Sequence, residues 1–204
     1  MKKLLLIAVS TAVLSSSVMA SGAYLRADVG ANKFLNFKDD KVVLKNKKWS
    51  ASLDLGVGYN FADDVRGEFV FGHYFNPPKN TDTVMEDGST ETIVYKSNVN
   101  TIMFKGYYDL AEVGPVKMFV GAGVGLAAIQ EKSKVIINEV LVISHTKAKL
   151  QPAYSLALGG AFKLSDGIHT DVQYNFSDFG KSVFTANKHK FRAHTIKAGL
   201  RFDI

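Results

Sequence analysis

The sequence predicts an all-β fold, an eight-stranded antiparallel up-and-down transmembrane β-barrel with a packed polar lumen. First, apolar residues recur at every second position in eight segments, which is typical of strands with two unlike faces. Second, long and short connections alternate between these segments, as in barrels with loops on one side of a membrane and turns on the other. Third, the opposite face is rich in glycine and alanine. A soluble β-sandwich or lipocalin-like barrel is the alternative, but a polar face that meets water needs no glycine lining.

The segment at residues 116–128 shows this pattern most clearly. Every second residue from Val116 is apolar, whereas the face between them carries glycine at positions 121, 123 and 125. Glycine weakens a strand and is tolerated where a bulky group must approach the backbone closely. We therefore expect the glycine face to look into a crowded interior and the apolar face to contact lipid.

The N-terminal segment reads as a secretory signal peptide at residues 1–20, followed by the barrel at residues 21–204. A basic start at Lys2 and Lys3 precedes eleven apolar or small residues and a small-residue cleavage site ending at Ala20. That run is too short to span a bilayer as a helix, and no later segment is long and apolar enough to do so. The chain contains no cysteine, so no disulfide framework is expected. Loss of the two lysines lowers the formal net charge from +6 to +4, a modest excess that does not indicate nucleic-acid binding.

The remaining strands follow in chain order. In the first, residues 23–31, the odd positions are apolar and the even positions are polar or glycine. In the second, residues 49–60, the odd positions are apolar from Trp49 to Tyr59 and the even positions are Ser, Asp, Gly or Asn. The other strands alternate in the same way, and with the glycine strand they cover residues 65–72, 101–110, 116–128, 149–163, 168–176 and 192–204.

The connections place the two ends of the barrel on opposite sides of the membrane. Four long outer loops are expected at residues 32–48, 75–98, 129–148 and 177–191, and three short periplasmic turns at residues 61–64, 111–115 and 165–167. Within the third loop, two apolar runs flank Asn138 and Glu139, which predicts a hairpin that extends beyond the barrel rim. Two aromatic girdles are expected, formed by Tyr59, Tyr108, Phe162 and Phe202 at the inner rim and by Trp49, Phe71, Tyr154 and Phe176 at the outer rim.

The inward face carries six basic and six acidic residues. Eight strands enclose an interior that side chains just fill, and a confined charge is costly unless it is paired. The balance therefore predicts a salt-bridge plug, with a small gated channel as the alternative. The predicted lumen charge network consists of Arg26, Asp28, Asp54, Arg66, Glu68, Lys105, Asp109, Lys117, Asp171, Lys197, Arg201 and Asp203.

Catalysis is not expected from these residues. His169 and Asp171 share a face, and Ser155 also points inward, but a hydrolytic triad requires a nucleophile within hydrogen-bond reach of its base. No metal-ligand spacing, phosphate loop or nucleophile elbow is present in the sequence. We therefore expect no enzyme activity, no cofactor and no metal site.

Five segments of the predicted strands stand out, at residues 24–30, 53–59, 65–68, 107–109 and 120–126. They resemble segments of small eight-stranded outer-membrane proteins, which include the opacity proteins and the barrels of OmpA and OmpX. The resemblance implies insertion by the barrel-assembly machinery, which reads the last strand, although Asp203 and Ile204 here follow the Phe that commonly ends the family. The Lys-, Asn- and Ile-rich loops are similar to those of rickettsial surface adhesins.

The resemblance and the loops together indicate a surface adhesin with its loops exposed outside a bacterial outer membrane. The first loop has six lysines against two aspartates, a charge that suits a sulfated glycan or an acidic host surface protein. Apolar residues of the predicted hairpin offer a second contact. The alternatives are a structural or stress-related barrel without a specific ligand, and lysines that touch only lipid or lipopolysaccharide. The candidate contact residues are Lys38, Lys41, Lys45, Lys47, Lys48, Ile136, Ile137, Val140 and Leu141.

Overall fold

The computed structural model of the chain describes eleven strands. The described residues are 22–35, 37–38, 43–44, 49–75, 79–84, 90–137, 140–181 and 190–204, so the predicted signal peptide lies outside them. No helix within these ranges is long and apolar enough to cross a membrane. The strands are β1 (Ala23–Phe34), β2 (Phe37–Lys38), β3 (Val43–Leu44), β4 (Ser50–Asn60), β5 (Val65–Phe75), β6 (Lys79–Val84), β7 (Thr90–Val113), β8 (Val116–Ile137), β9 (Val140–Ser165), β10 (Ile168–Lys181) and β11 (Lys190–Asp203).

Eight of these strands close into the predicted antiparallel ring. Their order is β5-β4-β1-β11-β10-β9-β8-β7, and β7 returns to pair with β5. Closure leaves no unpaired backbone edge within the ring, which is the condition for a sheet to cross hydrocarbon. The all-β barrel expected from the alternation is therefore confirmed.

The outward face of the ring is apolar and exposed. Val29 and Val124 expose 61% and 65% of their surface, and Leu55 on β4 is likewise exposed. A water-soluble domain rarely exposes a contiguous apolar belt of this kind, whereas a barrel in lipid requires one. The alternative of a soluble sandwich is thus excluded.

The glycines on the inward face make room for large side chains from other strands. A Cβ atom on Gly58 would collide with the ring of Tyr24, and one on Gly159 would come within 2.6 Å of the Phe119 ring and of the Val172 carbonyl oxygen. The crowded interior expected from the glycine face is therefore present, and its contents are aromatic as well as charged.

The strands extend further than the sequence predicted. Most of the expected loop at residues 75–98 is sheet, because β6 pairs with the start of β7 from Lys79 opposite Tyr95 to Val84 opposite Thr90. The segment that opens β7 is rich in threonine and branched residues, which favour strands. The turn signals Pro77-Pro78 and Asp87-Gly88, on either side of β6, indicated a loop instead. The predicted hairpin is confirmed: β8 and β9 pair out to Ile137 opposite Val140. Strands β6 to β9 thus form a sheet that extends beyond the outer rim.

A filled lumen beneath a basic outer surface

Arg26 is the centre of the charge network in the inner half of the lumen. Its Nε donates to both carboxylate oxygens of Asp28 at 2.9 Å, its Nη1 donates to Glu68 at 3.0 Å, and its Nη2 donates to Asp171 at 2.7 Å. All four side chains are buried. One guanidinium therefore serves three carboxylates, since its donors are arranged as a planar fork.

Asp54 anchors a second group of charges one layer further out. Lys197 and Lys105 both approach its Oδ2, Lys105 at 3.4 Å, and Lys197 also donates to the Tyr74 hydroxyl at 3.1 Å. Both ammonium groups are buried, so pairing with this carboxylate compensates for their loss of hydration.

The inner rim carries the remaining members of the predicted network. Arg66 pairs with Asp109 and stacks its guanidinium 4.7 Å from the ring centroids of Tyr107 and Phe119. Arg201 lies 3.6 Å from Asp171. These contacts close the periplasmic end with cations held against aromatic faces.

Two predicted lumen residues lie at the rim instead of inside. Lys117 has a side chain that is 39% exposed, and it reaches Asp109 at 3.4 Å and the Asp63 carbonyl at 2.8 Å. Asp203 is 44% exposed and meets His169 Nε2 at 3.3 Å. Both residues lie at strand ends. A side chain on the inward side of a strand end stays exposed there, because the barrel wall no longer surrounds it.

An apolar cap fills the outer half of the lumen, and the sequence analysis missed it. Phe179 lies 4.7 Å from the Tyr74 ring and 6.4 Å from the Phe34 ring, and Phe191 lies 6.3 Å from Phe34. The signal was available, because these residues continue the inward phase of their strands, but we expected a lumen closed by charges alone. The buried cap comprises Phe34, Tyr74, Val99, Met103, Ala127, Ile129, Ala153, Phe179, Phe191 and Ala193.

The structure does not bring the considered triad together. His169 opposes Lys163 at the inner end of β10, whereas Ser155 opposes Ser177, eight residues further along β9. At about 3.3 Å per residue the two side chains are roughly 26 Å apart along the strand. Asp171 is bound to Arg26 rather than to His169. No cluster of metal-ligating side chains occurs within the described ranges either.

Exposed charges are segregated between the two ends of the barrel. At the inner end Asp63, Glu112, Asp166 and Asp203 are exposed together with Lys163. At the outer end, none of the acidic side chains that the structure describes is exposed, since Glu131 and Asp178 are buried. The exposed charged residues described there are all lysines, namely Lys33, Lys96, Lys132, Lys134, Lys147, Lys149, Lys181 and Lys190.

Four of these residues, which we call the mouth lysines, are Lys147, Lys149, Lys181 and Lys190. The first two continue the inward phase of β9 above the buried Gln151, so they face the space over the barrel mouth. The Gln151 side chain accepts a hydrogen bond from the Lys181 backbone N–H at 2.9 Å and donates to its carbonyl, which fastens the end of β10 to β9. Lys181 in turn pairs with Lys190 on β11. Lys190 is an even position on β11, whose inward positions are odd, so Lys190 and its partner Lys181 follow the outward phase at the rim. The mouth lysines therefore lie at the outer ends of three neighbouring strands, two of them over the lumen and two on the rim.

The predicted contact residues are only partly described. Lys41, Lys45, Lys47 and Lys48 lie outside the described residues, and Lys38 is placed only through its backbone in β2. Ile137, Val140 and Leu141 are paired in the β8–β9 hairpin. Ile136 is half-buried, and its role as a partner contact stays a prediction.

Residues 4–202 match the family model for the outer membrane protein beta-barrel domain. The chain belongs to this family. It is 32% identical over 228 residues to a candidate adhesin of Rickettsia typhi and 31% identical over 227 residues to one of Rickettsia felis, with complete coverage of both chains in each case. The barrel is thus an outer-membrane protein with its loops exposed on the bacterial surface.

Two solved structures share the fold at low sequence identity. Neisserial surface protein A matches with a TM-score of 0.61 and 17% identity, covering 90% of this chain and 98% of that one. The attachment invasion locus protein Ail of Yersinia pestis, in complex with the heparin analogue sucrose octasulfate, matches with a TM-score of 0.53 and 12% identity, covering 91% and 100%. Both support the eight-stranded ring.

Proposed function

We propose that this protein is a surface adhesin that binds a sulfated glycan of the host cell through its basic outer surface. The observation that carries the proposal is the group of mouth lysines, which are exposed at the outer end of a barrel whose lumen is filled. Lysines at the outer ends of three neighbouring strands form an electrostatic target for a polyanion, and the acidic residue opposite Lys147, Glu131, is buried. An acidic host surface protein is the alternative partner of the same surface.

The comparisons support this proposal in two ways. The full-length rickettsial relatives are named as candidate adhesins. The Yersinia neighbour was crystallised with a sulfated sugar, although its low identity limits the likeness to the fold. Together they make an anionic carbohydrate a reasonable first ligand to test.

The alternatives are a structural barrel and a small channel, and we propose no enzyme activity. A channel is disfavoured because both the charge network and the apolar cap occupy the lumen. A purely structural barrel would not require basic side chains from three strands at the same mouth. Measuring ligand binding therefore distinguishes an adhesin from a purely structural barrel.

The experiment measures binding of the refolded mature chain to immobilised heparin and to host cells. Replacing all four mouth lysines with Gln should weaken binding at least tenfold, and wild-type binding should fade steeply above physiological salt because the contact is electrostatic. The matched control replaces Lys33, Lys96, Lys132 and Lys134 with Gln, which removes the same number of positive charges from the outer ends of β1, β7 and β8. Unchanged binding by the mouth variant would refute the proposed site.

A second variant addresses the predicted loop. Replacing Lys41, Lys45, Lys47 and Lys48 with Ala tests whether the first loop contributes to the same contact. Binding that depends on the loop and not on the mouth lysines would support the adhesin function but place its binding site in the first loop. Binding to host cells that survives removal of cell-surface sulfated glycans would instead favour the acidic host protein.

A further inference from the structure

We propose that the protein binds the phosphate groups of outer-leaflet lipopolysaccharide through three lysines on the lipid side of its extended sheet. These collar lysines are Lys96 on β7 and Lys132 and Lys134 on β8. The proposal is independent of the adhesin function, because it concerns the outward face of the sheet and not the barrel mouth.

The collar lysines continue the face that contacts lipid. On β8 the outward positions run from the exposed Val124 and Leu126 through Ala128 and Gln130 to Lys132 and Lys134. Side chains two residues apart point to the same side of a strand, so the lysines stand directly above the apolar belt. The site is therefore continuous with the membrane surface.

The pairing register brings the collar lysines together. Lys96 is the cross-strand partner of Lys132, and both side chains are exposed. Directly opposed side chains on one face lie about 5 Å apart at Cβ, and like charges in that position repel each other. An anion between them would remove the repulsion.

Hydroxyl groups extend this arrangement across a third strand. Thr146 on β9 is opposite Lys132, and Ser144 is opposite Lys134. Both are exposed and share the outward face. Two rows of ammonium and hydroxyl donors thus run side by side, which matches the several oxygens of a phosphate monoester. On this part of the face, none of the side chains that the structure describes is acidic.

The height of the collar suits the headgroup layer. Lys132 is four residues beyond Ala128, which is about 13 Å along the strand or roughly 10 Å along the membrane normal at a tilt of about 40°. The polar layer on each side of a bilayer is about 5–7 Å deep. A lysine stem that bends toward the membrane keeps its ammonium group among the lipid phosphates.

The test uses the refolded mature chain in phosphocholine nanodiscs, titrated with bisphosphorylated lipid A and with dephosphorylated lipid A. Wild type should bind the phosphorylated lipid at least tenfold more tightly. K96Q/K132Q/K134Q should lose at least tenfold of that affinity and K132Q/K134Q severalfold, whereas K147Q/K149Q, which removes two charges from the inward phase of β9, should bind like wild type. The single variant K132Q should lose severalfold if the triple variant does not fold.

Two outcomes would overturn the proposal. One is lipid A binding that is unaffected by the collar substitutions or indifferent to the phosphates. The other is a collar variant that retains lipid A and loses heparin, which would assign this face to adhesion. Loss of heparin binding in the mouth variant alone leaves the collar proposal intact, so the two proposals fail separately.

Discussion

Arg26 shows how much of the stability of the barrel rests on single side chains. It forms ion pairs with Asp28, Glu68 and Asp171 within a buried region, and Tyr24 completes the set by donating to Glu68 at 2.9 Å. Three carboxylates in confinement repel one another, so the guanidinium is required for their coexistence.

Removing this guanidinium should be strongly destabilising. Arg26→Met retains the volume of the stem and deprives three buried carboxylates of the cation that they share, and we expect a loss of about 3–5 kcal/mol in the free energy of unfolding. Urea unfolding of the refolded protein in micelles measures this loss of unfolding free energy. Lys163→Met is the control, because the exposed pair of Lys163 with Asp166 lies in solvent and its loss should leave the unfolding midpoint unchanged. A small effect at Arg26 would mean that water reaches the network.

Glycine positions give a second prediction at the residue scale. Gly159→Ala places a methyl group 2.6 Å from the Phe119 ring and from the Val172 carbonyl, so overpacking should cost about 1–3 kcal/mol. Gly106→Ala is the matched control, since nothing lies within 4 Å of its added Cβ atom. The difference in urea midpoint between the two variants measures the crowding of the lumen, and equal midpoints would contradict it.

The most informative element is the hairpin formed by β8 and β9. Both strands take part in the ring, yet β9 pairs with β10 only from Tyr154 inward along the barrel, where Tyr154 opposes Asp178. The residues beyond that point pair with β8 alone among the described strands. The hairpin is thus a barrel wall at one end and an outer sheet at the other.

Shortening the hairpin should separate these two roles. Lys134 and Ser144 are paired, so Asn-Gly in place of residues 135–143 closes the strands with a two-residue turn. We expect the unfolding midpoint of the barrel to stay unchanged, because the ring lies below the cut. Heparin and lipid A binding should also persist, since the mouth and collar lysines remain. Lost heparin binding would show instead that the apolar tip contacts the partner.

At the scale of the whole molecule, the lumen is closed by two unlike layers. Charges fill the inner half around Arg26 and Asp54, and aromatic and aliphatic side chains fill the outer half around Phe179. The apolar layer separates the ion pairs from the water outside the cell, which strengthens their attraction.

Planar-bilayer recordings test this closure. Wild type should give no steady unitary current, and removing the cap with F34A/F179A/F191A should still give none, because the charge network below it remains in place. Wild-type currents would contradict a filled lumen. Currents in the cap variant alone would show that the charges do not seal the barrel by themselves. A heat-dependent shift in gel mobility confirms that each variant is folded.

The sequence by itself determined the ring of eight strands and which residues face its interior. Alternation is a local property, so it could be read from residues such as Val124 and Arg26 without any knowledge of their partners. The same reasoning failed at strand ends, where an inward position such as Asp203 is exposed at the rim. It also failed in β6 and the start of β7, where turn signals led us to expect a loop.

Only the tertiary structure decided which charges meet and what else fills the lumen. The union of Arg26 with Asp171, 145 positions apart, depends on the register that closes the barrel. The aromatic cap and the facing pair of Lys96 and Lys132 depend on the same register. Alternation fixes the side of the wall on which a residue lies, but its neighbours are set by the offset between strands, which no single strand encodes.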